Sequence, residues 1–213
     1  MWTRVELKNK AKAIMSRSYG KMLVASVLAS LAYGVVNIDI DTIIYDSRIA
    51  STVGLLLILL GIFAVNPITV GANRFFILNS EGNASLSEIF SMFKMDYWNV
   101  VKVMLMMQIK TILWTLCLVV PGIIKGFEYS MIPYLLAENS SMSMSECFSL
   151  SKEMTSGQKM DMFVLDCSFV GWYILAALAC GIGIIFVGPY VMATETELYK
   201  VLKPKEELPD LPL

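Results

Sequence analysis

The stretch Ser85-Leu86-Ser87-Glu88-Ile89-Phe90-Ser91-Met92-Phe93-Lys94 organises this chain. It predicts the start of an amphipathic helix, in which Ser85 is the N-cap and Glu88 reaches back to it in a capping box. The same pattern of Ser or Thr, two residues, Glu, five residues and Lys occurs twice more, at Thr3, Glu6 and Lys12, and at Ser143, Glu146 and Lys152. A long apolar segment follows each copy. The sequence therefore predicts three copies of one unit, a surface helix followed by a hydrophobic hairpin.

The composition indicates a multi-pass membrane protein. Only 16% of the 213 residues are charged and the mean hydropathy is +0.64, whereas a soluble domain carries about 25% charged residues. The net charge of −1 does not favour nucleic acid as a partner. Histidine is absent, which removes the commonest general base and the commonest metal ligand.

Six apolar segments are predicted to span the membrane, at residues 22–38, 49–70, 98–120, 123–137, 160–180 and 184–198. The fourth and sixth are short, because a span needs ~20 residues. Tight turns are predicted at Pro121-Gly122 and at Gly181-Ile182-Gly183, and a polar loop at 39–48. The expected fold is thus an all-α, polytopic domain over 1–202, with repeat units at about 1–82, 83–140 and 141–202, and a proline-containing disordered cytoplasmic tail at 203–213.

The first surface helix, residues 1–20, is basic on one side and apolar on the other. Such a helix is expected to lie in the headgroup layer, although a solvated cytoplasmic helix fits the same pattern. In the first span, Ser26, Ser30 and Gly34 are spaced four apart, which favours close approach of another helix.

Basic residues predict the orientation. Of the 17 Lys and Arg, 14 fall on one side: Arg4, Lys8, Lys10, Lys12, Arg17, Lys21, Arg74, Lys94, Lys102, Lys152, Lys159, Lys200, Lys203 and Lys205. Arg48 and Lys125 fall on the other side, and Lys110 lies within a span. The positive-inside rule therefore puts both termini and all three surface helices in the cytoplasm.

Three hairpins of like orientation predict a pseudo-threefold arrangement about the membrane normal, with simple side-by-side packing as the alternative. The second helix of each hairpin contains a proline: Pro67, Pro133 and Pro189. Each proline frees a carbonyl one turn earlier and is expected to kink its helix. The alternative is that these carbonyls line a polar path.

Several motifs together resemble one known family: Trp2-Thr3-Arg4 with Leu7-Lys8, Asn66-Pro67 with Val70-Gly71-Ala72 and Arg74-Phe75-Phe76, Pro121-Gly122-Ile123-Ile124-Lys125, Tyr129-Ser130-Met131 with Pro133-Tyr134, and Phe163-Val164-Leu165-Asp166 with Ser168-Phe169 and Gly171-Trp172. The chain is similar over nearly its whole length to the bacterial integral membrane family catalogued as domain of unknown function 975. The resemblance implies a small protein of the bacterial inner membrane. It implies no activity, substrate or catalytic residue.

Lys110 is the sharpest candidate for a functional residue, because a lysine at the centre of a span costs about 2.5–3.5 kcal/mol and usually faces a partner or water. Counted at about 1.5 Å per residue from the outer turns, Glu195 and Asp166 match its depth, whereas Glu128 lies nearer the surface. Two readings remain, a buried ion pair that fixes helix register and an ion relay, proton relay or anionic headgroup site. The full candidate polar cluster is Lys110, Asp166, Glu195, Glu128, Asn66 and Gln108.

No metal site, cofactor or enzyme signature is predicted. The four cysteines lack CxxC spacing and are interpreted as packing residues. The 15 methionines invite a copper hypothesis, but without His or paired Cys they are better read as apolar filling. The sequence lacks HExxH, GxxxxGK and GxSxG.

The function expected first is that of a non-enzymatic accessory or scaffold in the bacterial plasma membrane. It would act on lipids or a protein partner, which could be another membrane protein or a second copy, in export, peptide resistance or envelope maintenance. The alternatives are a small transporter or channel with a polar path near Lys110 and, third, an intramembrane enzyme.

Overall fold

The computed structural model describes residues 2–37, 48–82, 84–178 and 183–204. Ten α-helices fall within these ranges: α1 (Arg4–Asn37), α2 (Arg48–Leu60), α3 (Asn66–Glu81), α4 (Tyr97–Cys117), α5 (Val119–Tyr129), α6 (Ile132–Glu138), α7 (Met144–Thr155), α8 (Lys159–Cys167), α9 (Val170–Leu178) and α10 (Gly183–Leu202). A π-helix, Gly61–Val65, joins α2 to α3, and a 3-10 helix, Leu86–Phe93, precedes α4. The described part of the chain contains no strand, so the predicted all-α class is confirmed there. Most of the predicted loop at 39–48, residues 181 and 182 of the second turn and the tail from 205 lie outside it.

Three helical stretches in the described ranges are long and apolar enough to cross a membrane: Gly54–Glu81, Tyr97–Cys117 and Lys159–Leu178. They correspond to the predicted second, third and fifth spans. The predicted first span ends at 38, outside the described residues, and the sixth corresponds to α10, which carries Glu195, Glu197 and Lys200. The fourth is divided between α5 and α6. Pro133 lies in the first turn of α6, where its missing N–H costs no helical hydrogen bond.

The first surface segment and the first span are two helical stretches of α1 that meet at a kink. α1 is interrupted at Ser18, whose backbone has φ −143° and ψ 32°. The Ser18 hydroxyl accepts a hydrogen bond of 2.7 Å from the Asn79 amide of α3. On the N-terminal side of this kink, Leu7 and Ala11 are fully buried. The boundary between the predicted surface helix at 1–20 and the predicted first span therefore falls close to Ser18.

All three predicted N-caps form, and two of them bond the backbone N–H of the glutamate three residues later. Thr3 Oγ1 accepts from the Glu6 N–H at 3.2 Å, and Ser143 Oγ accepts from the Glu146 N–H at 3.3 Å.

Ser85 is the predicted N-cap, but the capping box and the α-helix predicted there were wrong. Residues 86–93 form a 3-10 helix, and Ser85 Oγ accepts from Ser87 N–H instead. The Glu88 carboxylate accepts from Arg74 Nε at 3.1 Å, so a tertiary ion pair replaces the local capping box.

Small residues let helices approach closely. The chain turns at Leu118, with φ −161° and ψ 139°, three residues before the predicted Pro121-Gly122 turn, which instead opens α5. A Cβ at Gly122 would lie 2.7 Å from Thr115 Cα, and one at Gly183 would lie 2.6 Å from Ala176 Cα. α5 therefore packs tightly on α4, and α10 on α9.

The packing links distant parts of the chain. α1 packs along α10, the 3-10 helix packs on α3, and α7 packs on α5 and α6. Of the predicted seam in α1, Ser26 is buried and lies 3.5 Å from the position of a Cβ at Gly188. The core shared by these elements includes Leu7, Phe75, Ile89, Leu135 and Tyr199.

Candidate functional site

The six candidate residues do not form one cluster. The structure divides them into four separate groups: Asn66 with Gln108, Lys110, Glu128, and Asp166 with Glu195.

Asn66 and Gln108 form a reciprocal amide pair between α3 and α4. The Gln108 Nε2 donates to Asn66 Oδ1 at 2.9 Å, and Asn66 Nδ2 donates to Gln108 Oε1 at 3.5 Å. Asn66 is buried, and one partner amide supplies both a donor and an acceptor. The pair therefore ties two candidate spans together without requiring water.

Lys110 does not meet the acids that were expected as its partners. Its ammonium nitrogen lies 3.7 Å from the centroid of the Phe148 ring on α7, and among the described residues no ion pair joins it to Asp166 or Glu195. Counting residues fixes the depth of a side chain but not the direction in which it points. A cation on an aromatic face is stabilised by up to about 2 kcal/mol when desolvated.

Glu128, the candidate ranked lowest by depth, has the strongest ionic partners. Its carboxylate binds Lys125 Nζ and Lys159 Nζ, each at 2.7 Å. Its backbone carbonyl also accepts from Ser151 Oγ of α7 at 2.6 Å. Lys125 precedes Glu128 by three residues on α5, a spacing that could have indicated the pair from the sequence.

Asp166 and Glu195, which were each predicted as partners of Lys110, instead line one cavity of about 100 Å³. Tyr134 lines the same cavity and donates its hydroxyl to Glu195 Oε2 at 3.1 Å. Ser130, Met131 and Met162 are among the other lining residues.

A further polar layer, which sequence reasoning missed, joins the helix ends. Arg74 donates to Glu88 and, at 2.9 Å, to the Ala137 carbonyl. Glu138 accepts from Tyr199 at 2.8 Å and pairs with Lys203 at 2.7 Å. The only sequence signal was the position of these ionisable residues at the ends of apolar segments.

Lys8 joins the first surface segment to the third unit. Its ammonium donates to Ser168 Oγ at 2.6 Å. Partial burial, with Arg4 and Lys12 nearby, lowers the pKa of Lys8.

The carbonyl freed by Pro67 is satisfied by a side chain. Proline has no N–H, so the Phe63 carbonyl one turn earlier loses its helical donor. The Tyr97 hydroxyl donates to that oxygen at 2.7 Å, and the backbone there takes the wider π-helical form. At Pro67 the Tyr97 hydroxyl therefore replaces the backbone donor that the helix lacks.

Within the described ranges, no group of three or more His, Cys, Asp or Glu is placed to hold a metal ion. Cys117, Cys147 and Cys167 are free thiols, and Cys180 lies outside the described residues. Burial raises the pKa of the Cys147 thiol to about 12.

The comparisons with known proteins point to one family. No curated protein matches the chain, and no solved structure does. Residues 115–206 match the family described as "Protein of unknown function (DUF975)", whereas the motifs N-terminal to residue 115 lie outside the match. The family resemblance predicted from the sequence is thus confirmed over residues 115–206, which match the model of domain of unknown function 975.

Proposed function

We propose that this protein is a six-span integral protein of the bacterial plasma membrane with both termini in the cytoplasm. It acts without catalysis, as an accessory or scaffold that binds lipids or a protein partner. Export, peptide resistance and envelope maintenance are the processes in which such a protein would serve.

The observation that carries this proposal is the separation of the candidate polar side chains into four small groups, most of which bind partners of their own. Asn66 is paired with Gln108, Lys110 lies on Phe148, and Glu128 is neutralised by two lysines. A transport path needs polar groups that remain available to a solute along a continuous route. Polar groups that bind one another instead stabilise a packed bundle.

Exposed apolar side chains support the membrane location. They lie on the candidate spans and include Leu55, Leu56, Leu59, Ile112, Leu113, Leu116, Ile174, Leu175 and Leu178. Apolar surface of this extent marks contact with lipid or a partner protein.

The order of packing supports the pseudo-threefold arrangement. The amphipathic segment of the second unit packs on α3 of the first unit, and α7 of the third unit packs on α5 and α6 of the second. The cycle is completed by α1, whose Lys12 faces the Tyr190 ring of α10 at 6.0 Å. Each segment thus covers the returning helix of the preceding unit.

The orientation is tested with single cysteines in a chain whose native cysteines are replaced by alanine or serine. Lys10→Cys, Lys94→Cys and Lys152→Cys report on the three amphipathic segments. A membrane-impermeant maleimide should label all three in inverted membrane vesicles and none in intact spheroplasts. Labelling of one segment from the opposite side would contradict the arrangement.

The function is tested by extracting the protein from native membranes in polymer discs and by reconstituting it in proteoliposomes. Retained lipids or proteins should be enriched over the bulk membrane, while ion and solute fluxes should equal those of protein-free vesicles. Saturable flux without any enrichment would contradict the scaffold proposal.

A small transporter is the second candidate, because Asp166 and Glu195 share one cavity. In this case cations would cross proteoliposome membranes, and Glu195→Gln should abolish their flux. Ser149→Ala, an exposed change on α7, is the matched control. Flux that is absent, or equal in both variants, would exclude this candidate.

A further inference from the structure

We infer that one aromatic surface, formed by Phe63, Phe90, Phe93, Tyr97 and Trp98 and flanked by Lys94 and Lys102, binds the headgroup region of anionic phospholipids. This inference rests on the proposed membrane location and names the lipid class that the scaffold would bind. The five aromatic residues are called the aromatic surface below.

Four of the five rings of the aromatic surface contact one another, although they come from three elements. Phe93 stacks on Tyr97 with ring centroids 5.8 Å apart, Tyr97 meets Trp98 edge-on at 5.3 Å, and Trp98 meets Phe63 at 6.1 Å. The bond from the Tyr97 hydroxyl to the Phe63 carbonyl fixes the arrangement. The rings are therefore held in place before any ligand binds.

These rings are exposed even though their own segment already has a buried apolar face. Ile89 and Met92 are fully buried, while Trp98 is 63% exposed and Phe90 50% exposed. A segment that lay in water would place polar residues on its outer side. Apolar residues on both sides indicate that the outer side meets something other than water.

The depth of the aromatic surface matches the membrane interface. Tyr97 begins the candidate span Tyr97–Cys117, so Tyr97 and its neighbour Trp98 lie at one end of that span. Tyr and Trp are enriched at the headgroup level, where one end of each ring is apolar and the other is wet. The interfacial layer is thus the environment that this surface fits.

The charges beside the rings select the lipid class. Lys94 and Lys102 are exposed, and within the described part of the chain no ion pair involves either. The nearby acids have other partners, since Glu88 pairs with Arg74 and Asp96 accepts from Ser140. Lys102 follows Trp98 by one helical turn and lies on the same side of α4. Two available cations favour a lipid with a net negative charge.

The test uses a variant in which Trp98 is the only tryptophan, with Trp2, Trp114 and Trp172 replaced by phenylalanine. It is reconstituted in vesicles that contain brominated phosphatidylglycerol or brominated phosphatidylcholine, and quenching of Trp98 fluorescence gives the relative binding of the two lipids. Phosphatidylglycerol should be preferred. Lys94→Gln and Lys102→Gln should each reduce the preference about fivefold, the factor that corresponds to about 1 kcal/mol per lysine near an anionic surface. Lys152→Gln, an exposed change on α7, should leave it unchanged.

The outcomes separate this inference from the proposed function. Equal quenching by the two lipids would overturn the lipid selectivity but not the membrane location. If neither lipid quenches Trp98 but lipid does quench a variant in which Trp172 is the only tryptophan, protein rather than lipid covers the aromatic surface. This result would also overturn the inference. If lipid quenches neither tryptophan, the membrane location fails as well.

Native mass spectrometry provides a second readout that leaves all four tryptophans in place. Wild-type protein should retain phosphatidylglycerol through detergent exchange, and the Lys94→Gln, Lys102→Gln double variant should retain less. Equal retention by the two proteins would overturn the inference.

Discussion

Gly71→Ala tests the contact between α3 and the 3-10 helix Leu86–Phe93. A Cβ at position 71 would lie 2.6 Å from the Ile89 carbonyl carbon, closer still to its oxygen, and 3.1 Å from the Glu88 carbonyl oxygen. Ordinary carbon–carbon contact begins near 3.5 Å, so the two elements must separate by roughly 1 Å. Both obstructing groups are backbone and cannot rotate away.

The cost follows from this separation. Overpacking a well-packed contact costs about 1–3 kcal/mol. Moving Glu88 by the same amount would break its 3.1 Å bond to Arg74, which costs about 1 kcal/mol more. The higher helix propensity of alanine returns up to about 1 kcal/mol. We expect a net loss of about 1–3 kcal/mol in the free energy of unfolding, or about 2–4 °C in melting temperature per kcal/mol for a chain of this length.

The assay is thermal unfolding in detergent, followed by tryptophan fluorescence and by the loss of monodisperse protein. Gly126→Ala is the matched control, because it is a helical glycine with no atom within 4 Å of the position of a Cβ. It should be neutral or stabilising by up to about 1 kcal/mol. Equal stability of the two variants would refute the close approach at Gly71.

Four further predictions follow from individual contacts. Tyr97→Phe should lower the free energy of unfolding by about 0.5–1.5 kcal/mol. The loss should be smaller in a Pro67→Ala background, because residue 67 then has an N–H that can bond the Phe63 carbonyl. An equal loss in both backgrounds would show that the Tyr97 hydroxyl does not substitute for that N–H. Glu128→Gln should lower the yield of folded protein, because it leaves Lys125 and Lys159 without their carboxylate partner. The loss of yield should be smaller when Lys159→Gln is already present. Strictly additive losses would argue against the ion pair between Glu128 and Lys159. The loss of folded protein caused by Lys110→Leu should not be rescued by Asp166→Leu or Glu195→Leu. A double-mutant cycle of Lys110→Leu with Phe148→Leu should show a coupling free energy. Rescue by either acid variant would instead support the ion pair predicted from the sequence. Burial raises the pKa of the Cys147 thiol to about 12, and the thiolate is the form that reacts with iodoacetamide. Cys147 should therefore resist iodoacetamide at pH 8 in the folded protein and react after denaturation. Rapid modification of the folded protein, measured by mass spectrometry, would contradict the burial of Cys147.

The sequence was informative where local chemistry decides the structure. Thr3 and Ser143 cap their helices because the acceptor and the donor are only three residues apart. The break after α7 was also predictable, since Gly157 adopts φ +73°, a conformation that glycine enters at no steric cost.

Tertiary packing decided the rest of the fold. Ser85 loses its predicted capping box because Arg74, which approaches from α3, binds Glu88. The turn falls at Leu118 rather than at Pro121-Gly122, because Gly122 is used for contact with Thr115. Neither partner is close enough in sequence for a local pattern to reveal it.

The candidate site shows the same division. Helical spacing and depth identified the polar residues and gave Asp166 and Glu195 similar depths, and the structure shows that both line one cavity. They could not fix the rotation of α4 about its axis, which turns Lys110 towards Phe148. The pairing of Glu128 with Lys159 depends on how α5 meets α8, which the sequence alone does not specify.

The packing of α1 along α10 has a consequence for biosynthesis. α1, whose buried residues include Leu7, Ala11 and Ala25, is synthesised before α10, which packs along it. Until α10 is synthesised and inserted, the side of α1 that packs on it remains uncovered and must be shielded by lipid or by the insertion machinery. A nascent chain arrested before Gly183 would therefore be a substrate for quality-control proteases, however well its earlier helices had entered the bilayer.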